Sequence, residues 1–129
     1  MTTAQKNRFK KILEAKRNEL LGEILIQRAR LAIIPASDPM DELKSVAERD
    51  FAVKSMNQMT QLLRLVESAL GELRAGTFGI CADCSIEIPL KRLEAVPWSP
   101  YCVRCQERAE RSQKQGSRSD YDTPYALAS

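Results

Sequence analysis

Two Cys-x2-Cys pairs restrict the structures open to this chain more than any other feature of its sequence. The pairs are Cys81 with Cys84 and Cys102 with Cys105, separated by 17 residues, and they hold all four cysteines of the 129-residue chain. Two residues between cysteines let one tight turn direct both sulfurs at the same ion, and two such turns complete a tetrahedron. Four protein ligands leave no open coordination position, so the spacing predicts one structural Zn²⁺ ion.

Disulfide and redox chemistry are the competing interpretations of these cysteines. Residues 1–11 contain no apolar run and no signal-peptide cleavage site, so we expect a cytoplasmic protein whose thiols stay reduced. A redox Cys-x-x-Cys normally lies in a strand–helix–strand unit, and the sequence around these cysteines does not have that pattern. Zinc is therefore the favoured interpretation, and so small a module needs its metal to fold.

The spacer between the cysteine pairs carries a short apolar pattern. Ile86, Ile88 and Leu90 alternate with a glutamate and a proline, which is typical of a short half-buried strand. We expect the remaining large apolar residues of the spacer to close a very small core beside the metal site. These residues are Leu93, Val96 and Trp98.

The sequence before the cysteines predicts a helical hairpin. Residues 4–34 contain one glycine and no proline, and their apolar residues recur near helical spacing. Pro35 ends this first helix, because proline disfavours helical geometry in the residue before it. Asp38 is suited to cap a second helix that begins at Pro39 and runs to about Ala75. A connection this short makes the two helices antiparallel.

The second helix carries the clearest periodic signal in the chain. Seven apolar residues follow a spacing of four and three in alternation, which is the a/d seam of a coiled coil. The seam consists of Ala52, Met56, Met59, Leu63, Val66, Leu70 and Leu73. Gly76 is placed to end the helix as its C′ residue. Because the first helix can cover this seam within one chain, we expect a monomer.

The predicted fold is therefore mainly α. A long antiparallel coiled-coil hairpin occupies residues 1–76, with its tip near residues 35–42. A small four-cysteine zinc-finger module follows in residues 77–115, and its polar, helix-favouring end from Val103 to Gln115 predicts a short exposed C-terminal helix. Residues 116–129 are rich in Ser, Asp and small residues, which predicts a disordered tail.

Charge and composition exclude several classes of function. The net charge is +3, with an excess of basic residues in 1–37, an excess of acidic residues in 38–75 and a balance in 76–129. A duplex-DNA-binding protein usually has a more concentrated basic face. The chain has no histidine, and its sequence offers neither an open metal position nor a nucleophile beside a base. We therefore expect that the protein is not an enzyme. No apolar run reaches transmembrane length, so we expect no membrane span.

Several segments of the chain resemble the DksA/TraR family of bacterial transcription regulators. The resemblance covers about residues 5–114 and includes the doubled cysteine pairs behind a long hairpin. It also includes the turn Asp38-Pro39-Met40-Asp41, the segment from Phe78 to Cys84, and the segment from Ile88 to Pro97 with Arg92-Leu93-Glu94-Ala95 at its centre. The distance from the tip to the first cysteine is also that of the family's best-known member.

The resemblance implies that the protein binds RNA polymerase. Members of the family insert the coiled coil into the secondary channel of the polymerase, and acidic tip residues change the stability of promoter complexes without sequence-specific binding of DNA. Asp38 and Asp41 match the two tip aspartates. Leu43 stands where the family's Asp-x-x-Asp-x-Ala pattern has alanine. We therefore expect these three residues to form the part of the tip that modulates the polymerase.

The resemblance also bears on the alarmone ppGpp. Some members of the family bind ppGpp through basic residues near the junction of helix and finger. The matching positions in this chain hold Leu65, Val96 and Gln106, none of which is cationic. Because several phosphates require several positive partners, we expect ppGpp to have little effect on this protein.

Two other functions compete with polymerase binding. The finger could be a zinc-ribbon module that contacts nucleic acid through five of its basic residues, which are Lys91, Arg92, Arg104, Arg108 and Arg111. Four glutamates interleave with these residues, which favours a solvated face. The chain could also be a structural coiled-coil protein that dimerises. Separately, the C-terminal segment from Tyr125 to Ser129 resembles the end of the bacterial tag that marks stalled proteins for proteolysis.

Overall fold

The fold consists of four helices, seen in a computed structural model that describes residues 1–33 and 39–116 and the side chains of 1–33 and 42–113. They are α1 (Thr3–Ile33), α2 (Pro39–Ala75), α3 (Leu90–Ala95) and α4 (Val103–Gly116). The two long helices pack against each other as the predicted hairpin. Within the described ranges there is no strand, only an isolated antiparallel bridge between Ile80 and Glu87. No described helix has the length and apolarity needed to cross a membrane.

The core of the hairpin lies along the predicted seam. All seven seam residues of α2 are buried or half-buried, which confirms the heptad pattern. On α1 the buried residues Phe9, Leu13 and Leu20 recur at helical spacing and face the seam. Ala69, which the strict a/d pattern does not include, is also buried at 5% exposure. Ala69 is buried because α1 covers a stripe of α2 that is wider than the a/d positions alone.

The end of α2 is defined by one glycine. Gly76 has a φ of 80°, a left-handed conformation that glycine adopts without steric cost. The N–H of Thr77 donates to the carbonyl oxygen of Glu72 at 2.9 Å, the six-to-one hydrogen bond of a Schellman motif. This confirms Gly76 as the C′ residue, and the turn directs the chain from α2 into the finger.

The finger packs directly onto the base of the hairpin. Phe9 of α1 belongs to the same buried cluster as Cys81 and Leu93, and its ring centroid lies 5.3 Å from that of Phe78. At the rim of this contact, Arg8 Nη2 forms an ion pair with Glu94 Oε1 at 3.0 Å. The core of the finger therefore extends onto the base of the hairpin through Phe9.

The strand predicted for Ile86, Ile88 and Leu90 is wrong. Ile88 is buried, but Ile86 is 56% exposed and Leu90 is the first residue of α3. Pro89 explains the difference, because it has no N–H to continue a strand ladder and its φ of −55° suits the residue that precedes a helix. The alternation of apolar residues is therefore coincidental, and the short helix α3 was not predicted.

The other spacer predictions are partly confirmed. Leu93 is buried at 1% exposure in the finger core. Trp98 packs instead against the hairpin cluster that contains Leu13 and Leu70, with Lys16 Nζ 5.7 Å from its ring centroid. The helix predicted from Val103 is confirmed as α4. The tip loop and the predicted disordered tail beyond residue 116 lie outside the described residues.

Candidate zinc centre and hairpin tip

The fold brings all four cysteines together. Their Sγ atoms lie within 4.8 Å of one another, and none forms a disulfide. Cys84 Sγ and Cys102 Sγ are 3.8 Å apart. A tetrahedral site with Zn–S bonds of about 2.3 Å separates its sulfurs by roughly 3.8 Å, so the cluster has the dimensions that zinc requires. The arrangement is a site for one structural zinc ion.

Short hydrogen bonds shape the first cysteine turn. The N–H of Cys81 donates to the Ile86 carbonyl at 2.8 Å, and the N–H of Ser85 donates to the Cys81 carbonyl at 3.0 Å. Ser85 has a φ of 62°, a left-handed conformation that a non-glycine residue adopts only where its surroundings require it. The turn thereby directs the sulfurs of Cys81 and Cys84 toward the same point.

The second cysteine turn lies at the start of α4 and is joined to the first. The N–H of Ala82 donates to the Pro100 carbonyl at 2.8 Å, and the N–H of Cys102 donates to Cys81 Sγ at 3.4 Å. Because Cys102 directly precedes α4, Cys105 falls in its first turn. The start of one helix therefore positions both cysteines of the second pair.

The thiols of the cluster differ in acidity. Burial opposes ionisation of Cys81, but hydrogen bonds from the backbone of both cysteine turns outweigh it and lower the pKa of Cys81 to about 6. Burial, reinforced by hydrogen bonds with neighbouring thiols, raises the pKa of Cys105. A binding metal therefore finds Cys81 ready as a thiolate at neutral pH, whereas it must displace a proton from Cys105.

Arg92 braces the second cysteine turn. Its Nε donates to the Tyr101 carbonyl at 3.2 Å and its Nη2 to Ser99 Oγ at 3.3 Å. The sequence predicted Arg92 only as a candidate phosphate contact, and its role in holding the loop before Cys102 was missed. Arg108, another of those candidates, lies 3.7 Å from Asp83 in an exposed ion pair. Two of the five candidate phosphate contacts are thus engaged within the finger.

The tip is described only in part. Asp38 lies outside the described residues, and Asp41 lies in the first turn of α2, beyond the range of described side chains. Leu43 is 74% exposed. An exposed leucine on the first turns of a long helix is available for contact with a partner, and the proposed role of these three residues remains a prediction.

The structure also describes the three residues that stand where some members of the resembled family bind ppGpp. Leu65 is 38% exposed, while Val96 and Gln106 are half-buried. The side-chain amide of Gln106 donates to Glu110 Oε1 at 3.2 Å. None of the three side chains supplies a positive charge for a phosphate.

Comparison with known proteins shows that the hairpin and the finger are both similar to those of one family of proteins. Residues 76–111 match the prokaryotic dksA/traR C4-type zinc finger. The chain is 32% identical over 117 residues to the RNA polymerase-binding transcription factor DksA of Salmonella typhimurium, covering 89% of this chain and 78% of that protein. With DksA of Escherichia coli, the identity is 31% over the same length and coverage.

A solved structure has the same arrangement of helices. The structure of transcription factor DksA2 from Pseudomonas aeruginosa superposes with a TM-score of 0.77 at 27% sequence identity, covering 88% of this chain and 89% of that one. The match spans more than the finger, so the long hairpin and its attachment are shared as well.

Proposed function

The chain belongs to the DksA/TraR family, and from this premise we propose that it is a transcription regulator that binds RNA polymerase. The single observation that supports this best is the joint match of hairpin and finger, over 88% of the chain, to transcription factor DksA2. A match of the finger alone would suit many zinc-binding modules. Under this proposal the protein acts in the cytoplasm, where it meets the polymerase, and has no enzymatic activity of its own.

The shape of the hairpin suits insertion into a channel. The 31 residues of α1 span about 46 Å at 1.5 Å per residue, and α2 runs alongside. We propose that this rod enters the secondary channel of the polymerase and carries Asp38, Asp41 and Leu43 to its far end. The tip carboxylates then change the lifetime of promoter complexes, while the flanks and the finger supply most of the contact area.

The finger fixes the position of the rod. We propose Cys81, Cys84, Cys102 and Cys105 as the ligands of one structural zinc ion, which stabilises the two cysteine turns. Since the finger core includes Phe9, an intact finger also orders the base of α1. A finger that docks outside the channel would therefore set how far the tip reaches.

The test separates binding from regulation. In the double variant Asp38→Asn and Asp41→Asn, asparagine keeps a good helix cap but removes both charges. We expect this variant to fold, load zinc and compete for polymerase nearly as well as the wild type, and to lose most of its effect on promoter-complex lifetime. A matched control, Asp50→Asn with Glu67→Gln, removes two exposed carboxylates of α2 away from the tip and should regulate normally.

Two results would contradict parts of this proposal. If the double tip variant regulates normally, the aspartates serve only as helix caps, and Leu43 or the finger must carry the effect. If it no longer binds polymerase, docking and regulation are not separable. Addition of ppGpp should change neither result, because Leu65, Val96 and Gln106 supply no cation.

The two competing functions have simple tests. A nucleic-acid-binding finger would show an affinity for DNA that falls steeply with salt. The contacts of Arg92 and Arg108 within the finger argue against this function, because these side chains already have partners. A structural coiled-coil dimer would have twice the monomer mass in solution. The burial of the α2 seam against α1 within one chain supports a monomer.

A further inference from the structure

Four cations line one groove between α1 and α2, near the end of the hairpin that carries the finger. The groove has a volume of about 390 Å³ and is lined by Lys6, Lys10 and Arg17 of α1 and by Arg74 of α2. Within the described residues 1–33 and 39–116, none of the four forms an ion pair. The groove, which Glu14 also lines, therefore carries a net positive charge.

The three cations of α1 lie on one face of the helix. At 100° per residue, positions i, i+4 and i+11 fall within about 40° of one another, so Lys6, Lys10 and Arg17 form a stripe about 17 Å long at 1.5 Å per residue. The apolar side chains of Leu70 and Leu73 complete the lining. A stripe of this length matches an extended or helical segment rather than a single small anion.

Lys10 and Arg17 lie on a different flank of α1 from the residues that contact the finger, whereas Lys6 also lines a cavity with Ile80 and Glu87 of the finger. The residues that contact the finger, Arg8, Phe9 and Lys16, are turned by about 100–180° from the direction of Lys10 on a regular helix. The groove therefore stays open when the finger is packed on the hairpin. It offers a second face that is far from the tip and borders the finger at Lys6 and Leu73.

We propose that this groove docks an acidic protein segment; the inference rests on the proposed function, which makes that segment a part of RNA polymerase. Four cations facing carboxylates would steer the encounter and fix the register of the complex. The floor formed by Leu70 and Leu73 would pack against an apolar side chain of the same segment.

Glu14 distinguishes an acidic protein segment from nucleic acid. It lies between Lys10 and Arg17 and also lines the groove. A phosphate backbone is uniformly negative and would be repelled at this point. A protein segment can place a hydrogen-bond donor or a cation opposite Glu14 and carboxylates on either side of it. The lining therefore favours a protein partner.

The test is a triple variant, Lys6→Gln, Lys10→Gln and Arg17→Gln, in the full-length protein. Glutamine preserves helix propensity, so helicity and zinc content should match the wild type. At low salt we expect the dissociation constant for RNA polymerase to rise about tenfold or more, with the difference shrinking as salt screens the groove. The control Lys11→Gln, Lys54→Gln and Arg64→Gln removes the same charge from exposed positions outside the groove and should have a clearly smaller effect.

A second measurement identifies the partner surface directly. Carbodiimide coupling joins amines to carboxylates that touch them. In the complex it should link Lys6 or Lys10 to an aspartate or glutamate of polymerase, and should leave Lys54 unlinked.

The outcomes separate this inference from the proposed function. If the wild type binds polymerase and the triple variant binds no worse than the control, the groove is not a docking site and the proposed function stands. If the triple variant instead loses affinity for a single-stranded oligonucleotide, the groove binds nucleic acid and the inference is wrong. If the wild type does not bind polymerase, the proposed function fails and the inference fails with it.

Discussion

The rings of Phe9 and Phe78 lie 5.3 Å apart and tilted by 47°, which joins the first helix of the hairpin to the segment that leads into the finger. Phe9 is fully buried, and Phe78 packs against both the finger cluster and the hairpin cluster. The pair therefore lies where the two cores meet.

Phe9→Ala should lower the free energy of unfolding by about 3–5 kcal/mol, since it removes a fully buried ring and leaves a cavity between the two cores. The measurement is urea denaturation followed by helical circular dichroism. Phe51→Ala is the matched control: its ring is 69% exposed, and its loss should cost less than about 0.5 kcal/mol. Equal costs for the two variants would contradict the shared core.

Cys105→Ser should abolish stoichiometric zinc binding and unfold the finger, while much of the helicity of the hairpin remains. Metal analysis and circular dichroism test this, and Ala109→Ser, which adds a hydroxyl to the same helix, should keep its zinc. Substantially less than one zinc per chain in the reduced wild type would contradict the zinc site itself.

Acidification should release the zinc, because protons compete with the metal for thiolates. The pKa of Cys81 is lowered to about 6, so its stabilising contribution is complete above the ordinary thiol pKa, is partly present at neutral pH and is lost as the pH falls through the lowered value. A colorimetric chelator would follow release during an acid titration. Zinc that stays bound even in strong acid would contradict its ligation by thiolates.

Glu72→Gln should stabilise the protein at neutral pH. Burial raises the pKa of Glu72, so the folded state favours the protonated form, and the stability from this group is present at low pH and lost as the pH rises through the raised pKa. A carboxylate in the last turn of α2 also opposes the helix dipole, at a cost of about 0.3–1 kcal/mol. The gain should vanish in acid. The control Glu67→Gln changes an exposed carboxylate, and it should raise the free energy of unfolding less in the same urea denaturation experiment. If Glu72→Gln stabilised the protein equally at all pH values, the raised pKa of Glu72 would be contradicted.

Gln27→Leu should raise the free energy of unfolding by about 1–2 kcal/mol. Oε1 of Gln27 is buried and has no hydrogen-bond partner among the residues that the structure describes, and an apolar side chain of similar size removes the cost of that unpaired group. Gln58→Leu makes the same change at an exposed position of α2 and should give no gain. An unchanged denaturation midpoint for Gln27→Leu would show that the amide oxygen is satisfied by solvent.

The parts of the fold that depend on local periodicity could be predicted from the sequence. The heptad seam, the start of α2 at Pro39 and the glycine end at Gly76 each follow from spacing or backbone chemistry within a few residues. The cysteine cluster follows in the same way, because the two Cys-x2-Cys turns carry their own geometry.

Contacts between distant segments could not be predicted in this way. Arg8 and Glu94 are 86 positions apart, and no periodic pattern indicates that α1 meets α3. The position of Trp98 on the hairpin depends on that same docking. The wrong strand prediction has a local cause, because Pro89 prevents a strand at an alternating apolar pattern. The role of Arg92 was missed because its hydrogen-bond acceptors are carbonyl and hydroxyl groups of a loop, which no sequence pattern indicates.

The place of Phe9 in the finger core has a consequence for synthesis of the chain on the ribosome. Residue 9 emerges long before Cys105, so the part of its cover that Ile88, Leu93 and the cysteines provide is missing until the last cysteine turn has been made and has captured its metal. The middle of the hairpin can already close through Leu13 and Leu70, but its base cannot. A cell short of zinc would therefore hold newly made chains whose Phe9 ring is incompletely covered, a feature that chaperones and proteases bind.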